Sequence, residues 1–159
     1  MGDFMAAKPA GQGGALIEKI KAGSETLNLI ATSLSNRIGD FEVWLKELPG
    51  KVDAVLWNSC SDERYLFGVR FGKFRNNWQL LYSYSEINRE DEADWNPLSD
   101  ASLETKLLAV EHLPKLLESI SSALDARTKQ LVASHKNFEA FASEIGIPPR
   151  KANEDEVPF

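Results

Sequence analysis

The sequence predicts an α+β fold: a long amino-terminal helix, a three-stranded antiparallel sheet, and a long, kinked carboxy-terminal helix. Three observations carry this. Apolar residues between Ala15 and Leu48 recur at alternating steps of three and four. Residues 52–85 switch to aromatic and β-branched runs, and 8 of the 15 aromatic residues lie in residues 50–84. From Leu103 to Ile145 the helical spacing returns.

In chain order, residues 1–14 are rich in Gly and Ala and read as a flexible leader. Residues 15–145 read as one α-β-β-β-α domain, and 146–159 as a polar mobile tail. In the first helix Ile20, Leu27, Ala31, Leu34, Ile38, Phe41, Leu45 and Leu48 keep a heptad rhythm, with Ser24 in the second slot. Gly23-Ser24 and Gly39 are weak points where a break is plausible. Pro49-Gly50 ends the helix.

Residues 52–59, 65–74 and 78–85 read as strands, with Phe74-Arg75-Asn76-Asn77 turning between the last two. An even loop there sets Lys73 opposite Trp78. Phe67, Val69 and Phe71 then share a face with Trp78, Leu80, Tyr82 and Tyr84. The other face carries Gly68, Arg70, Gly72, Gln79, Leu81 and Ser83, and is expected to be thin and open to water. Ser99, Asp100 and Ser102 are candidate caps for the last helix. Its stripe runs through Leu103, Leu107, Val110, Leu117, Ile120, Leu124, Leu131, Phe138, Phe141 and Ile145, with a kink or fresh start expected near Pro114 and a stop at Gly146. Both stripes are too long for three strands to cover. The helices are therefore expected to pair as a hairpin or as a dimeric, coiled-coil-like bundle, through Leu27, Leu34, Ile38, Phe41, Leu45, Leu124, Leu131 and Phe138.

Composition narrows the function classes. The chain has 159 residues, a net charge of −6, one cysteine and no apolar run long enough to cross a bilayer. A disulfide framework and a Cys-rich zinc module are excluded, and a soluble cytoplasmic protein is expected. The charge is uneven: residues 85–100 carry 1 basic and 6 acidic groups, and residues 50–84 carry 5 basic and 3 acidic.

No catalytic set assembles from these residues. His112 and His135 stand about 30 Å apart on a continuous helix and cannot share a site. Cys60, with Arg64 nearby, offers either a reactive thiol or an inert half-buried one. Glu90, Asp91, Glu92 and Asp94 lack the alternation and central Gly of an EF-hand loop and read as a solvated acidic connector. No metal site and no cofactor are expected. The informative segment is the hairpin, where Arg64, Arg70, Lys73 and Arg75 interleave with aromatic residues, Trp78 among them. Cations beside rings suit single-stranded nucleic acid or another anion. The negative total and the single aromatic face favour a core beneath a helix instead. Between two glycines, Arg70 is expected to be accessible to a carboxylate or phosphate. Residues 86–94 are expected to shield the hairpin.

In size, acidity and mix of elements the chain is similar to small secretion chaperones, with no motif that carries a residue role over. The expectation is a non-enzymatic interaction module, adaptor- or chaperone-like, forming a homodimer and taking a protein partner. An anion-binding or nucleic-acid-binding module is the alternative, and an enzyme with an unrecognised site is a third class.

Overall fold

The computed structural model describes residues 12–60 and 64–150. Most of the expected leader and tail, residues 1–11 and 151–159, lies outside the described residues. The chain divides into two compact units between Trp44 and Leu45.

The first unit is a helix. Helix α1 spans Gly14–Lys46, about 50 Å at 1.5 Å per residue, and carries its last two residues into the second unit. It runs unbroken through Gly23-Ser24 and Gly39, where a break was plausible. Each glycine costs only about 1 kcal/mol relative to alanine, too little to break a helix of 33 residues. Along its stripe Leu27 is exposed, Ala31, Leu34 and Phe41 are half-buried, and Ile38 is buried. Leu16, Ile17, Ile20 and Ile30 add to the exposed apolar surface of the amino-terminal half.

The second unit holds the sheet. Strands β1 (Ala54–Ser59), β2 (Tyr65–Phe74), β3 (Asn77–Glu86) and β4 (Asn96–Pro97) form one antiparallel sheet in sequence order. The sheet therefore has four strands, not three. The fourth is a two-residue pairing of Asn96 and Pro97 with Tyr82 and Leu81. It is too short to show a period of two, and its proline is tolerated because the strand lies at the edge.

The β2–β3 hairpin closes through Arg75 and Asn76, both at positive φ (51° and 67°). Two consecutive left-handed residues are the two-residue turn whose twist matches that of the strands. It places Lys73 opposite Trp78, Phe71 opposite Leu80, Val69 opposite Tyr82 and Phe67 opposite Tyr84, as the parity of the loop predicts. Phe67, Val69, Phe71 and Leu80 are buried on that face.

Helix α2 (Leu103–Glu144) covers it, packing on β1 and β2. The Phe67 ring lies 6.1 Å from the His112 ring, and the Tyr84 and Thr105 hydroxyls are 3.2 Å apart. Ala109, Leu116 and Ile120 are buried from the helix side. Ser102 is the cap that forms, its Oγ accepting from the Thr105 amide at 3.2 Å. The helix does not restart near Leu113. It continues through Pro114, which is exposed, so water can satisfy the carbonyl left without an amide partner. At the other end Gly146 has φ +84°. Its amide donates to the Ser143 carbonyl and the Ile147 amide to the Ala142 carbonyl, a Schellman closure at the expected glycine.

The second sheet face is not thin and open. Gly68, Gly72, Leu81 and Ser83 are all buried there. The indoles of Trp57 and Trp95, 5.1 Å apart between centroids, lie over Gly68, and the turn Leu98–Asp100 packs on β3 with Leu98 buried. A Cβ at Gly68 would meet Trp57 Cζ3 at 2.6 Å and Trp95 Cη2 at 2.8 Å. Gly68→Ala must displace two rings, and overpacking of this kind costs about 1–3 kcal/mol. Urea denaturation should show the lower midpoint with the slope unchanged.

Candidate functional site

The basic-aromatic hairpin divides between its two ends. Arg64 and Tyr65 open β2 beside Glu86 and Ile87, around a hollow of about 380 Å³. At the far end the Lys73 ammonium lies over the Trp78 ring at 5.7 Å, and the Arg75 guanidinium over the Phe74 ring at 5.3 Å. Trp78 is half-buried and stacks on Phe71 at 5.2 Å. Ten-residue strands separate the ends by about 30 Å, so Arg64 and Lys73 do not converge on one small ligand.

Arg70 occupies a built environment in the middle. Its Nε donates to Asp53 Oδ1 at 2.8 Å, and its Nη2 donates to Asp53 Oδ2. The guanidinium also lies 5.4 Å from the centre of the Trp95 ring. Gly72 makes the pair possible: a Cβ there would sit 2.8 Å from Arg70 Nε and 3.0 Å from Asp53 Oδ2. The Arg70 pKa is raised above its usual value, first by the hydrogen bonds to Asp53, against burial, and then by the Asp53 charge. A raised pKa keeps the cation charged throughout the workable range, so this contribution is lost only in strong alkali. The glycines therefore admit the rings and the ion pair rather than a ligand.

Trp95 brings the acidic connector onto the hairpin through an indole. Further back in the connector, Ser85 Oγ donates to the Arg89 carbonyl at 3.0 Å, and Arg89 lies 3.6 Å from Glu86. Residues Glu90–Glu92 form a short 3-10 turn. Among the described residues no group of three His, Cys, Asp or Glu side chains is placed to hold a metal ion. Cys60 is half-buried, its amide donating to the Tyr65 carbonyl at 3.2 Å. His112 packs on Phe67, and His135 Nε2 lies 3.7 Å from Glu139 Oε1.

The assembly residues fall into two groups. Ile38 and Leu45 are buried, and Leu34, Phe41 and Leu124 half-buried. Leu27, Leu131 and Phe138 are exposed. On α2 the exposed Leu117, Leu131 and Phe138, followed by Ile145 at the C-cap, fall on one heptad position with the half-buried Leu124.

A groove of about 490 Å³ lies between the start of the sheet and the middle of α2. It is lined by Lys51, Val52 and Asp53 from the segment before β1, Trp78 from β3, and Ala123, Ala126, Arg127 and Gln130 from α2. Composition had singled out only Trp78 among these. The others are brought together by the fold, and the wide spacing of Lys51 and Arg127 along the chain gives no local signal.

No family model matches the chain, and no curated protein or solved structure matches it. No helix among the described residues is long and apolar enough to cross a membrane.

Arg70→Ala removes an ion pair and the packing of the Arg stem on Trp95. With both partners partly exposed, the expected loss is about 1 kcal/mol, read as a lower melting temperature. Ser83 Oγ is buried with no hydrogen-bond partner among the described residues. Ser83→Ala relieves that desolvation and should raise stability by about 1 kcal/mol, measured in the same melts.

Proposed function

We propose that this protein is a non-enzymatic interaction module that assembles with a second copy of itself through its helical apolar seams. The observation that carries the reading is the exposed run Leu16, Ile17, Ile20, Leu27 and Ile30 on α1. A helix cannot bury its own stripe, and contiguous exposed apolar surface at heptad spacing marks an interface. The α2 seam at Leu117, Leu131 and Phe138, with Ile145 at the C-cap, supports the same reading. Assembly of two copies through these helices would bury the seams. A cytoplasmic setting fits a chain with one cysteine and, among the described residues, no helix long and apolar enough to cross a membrane.

Leu27 is 61% exposed and Phe138 59% exposed, so a charge at either position leaves the sheet core intact. Burial of a leucine contributes at least about 1.5 kcal/mol, so Leu27→Glu should weaken dimerisation at least tenfold per protomer. Sedimentation equilibrium reads this directly. A wild-type chain that is monomeric at every concentration, with circular dichroism unchanged in the variant, would remove the proposal.

A further inference from the structure

We infer that the groove between Lys51 and Arg127 is a binding site for a short acidic peptide segment of a partner protein, separate from the helical seams. Its charge is positive where it is open. The Asp53 carboxylate is held on the opposite sheet face, beside Gly72, where Arg70 donates two hydrogen bonds to it. Among the described residues, neither Lys51 nor Arg127 has a carboxylate partner, and Lys73 adds a third cation beside Trp78. Arg127 Nη1 donates to Gln130 Oε1 at 2.8 Å, which orients the guanidinium and leaves the Gln130 amide hydrogens available for a peptide carbonyl.

The apolar part of the groove selects among anions. Val52, Ala123, Ala126 and Trp78 give its lining an apolar part, and the two alanines are small. A carboxylate-bearing segment with one apolar side chain matches both features. A nucleic-acid strand needs a longer basic track. Here the nearest further hairpin cation on β2 is Arg70, already held by Asp53, and the chain is acidic overall at −6. The volume of about 490 Å³ suits a few residues of chain.

The test uses the full chain and a capped peptide of sequence Asp-Glu-Phe-Glu-Asp, followed by calorimetry and by amide and indole NMR shifts. Saturable binding is expected, with shifts at the Trp78 indole and around Arg127. The Asn/Gln analogue of the peptide should bind at least tenfold more weakly, and raised salt should weaken the acidic peptide. Lys51→Gln and Arg127→Gln should each reduce affinity about threefold, and together about tenfold, as befits exposed ion pairs. Ala126→Trp fills the groove from an exposed position without changing charge, and should abolish binding while the melting temperature holds. Leu27→Glu should leave peptide affinity unchanged, which separates this site from self-association. Absence of saturable binding, equal affinity in the double variant, or tighter binding of oligothymidylate at the same residues would each overturn the assignment.

Discussion

The two-residue turn at Arg75-Asn76 is the constraint on which the sheet depends. Both residues occupy the left-handed region, at a cost of about 1–2 kcal/mol each for side chains with a Cβ, offset by the twist they impose on β2 and β3. That turn decides which side chains lie opposite each other along ten residues of strand. A slip of one residue would bring Arg70 beneath α2 and turn Phe67 and Phe71 outward. The burial of both faces therefore rests on a local backbone choice made by an arginine and an asparagine.

Given that register, the two faces solve different packing problems. One is broad and aromatic, and α2 covers it with small and aliphatic residues such as Ala109, Leu116 and Ile120. The other holds Gly68 and Gly72, whose missing side chains form hollows. The Trp57 and Trp95 rings fill the first, and the Arg70–Asp53 pair fills the second. The charged pair beside the indoles gives the carboxylate its donors. Ser83, under the same cover, keeps a hydroxyl with no partner among the described residues.

Much of the local structure was legible in the sequence. The helical spacing, the Ser102 cap, the Gly146 closure and the parity of the hairpin are set by neighbours within a few residues, where propensity and turn chemistry act. What was missed depends on distant residues. Trp57 and Trp95 lie far apart in the chain and meet over a glycine. Lys51 and Arg127 approach one groove from a loop and a helix. The β4 pairing of Asn96 and Pro97 is shorter than any period. Pro114 reads locally as a breaker, yet at an exposed position the helix accommodates it. The cations of the basic hairpin, close together in the sequence, are distributed among an ion pair, two ring contacts and a separate end.

The four tryptophans give the molecule a built-in set of spectroscopic reporters. Trp44 is exposed and closes the first unit, so its emission reports a solvated helix end. Trp57 and Trp95 are tilted by 49° at close range, a geometry in which coupled transitions are expected to give the folded sheet a near-ultraviolet dichroism. Trp78 lines the groove. Loss of tertiary order around the sheet, fraying of the long helix and occupancy of the groove can therefore be followed separately in one unlabelled sample.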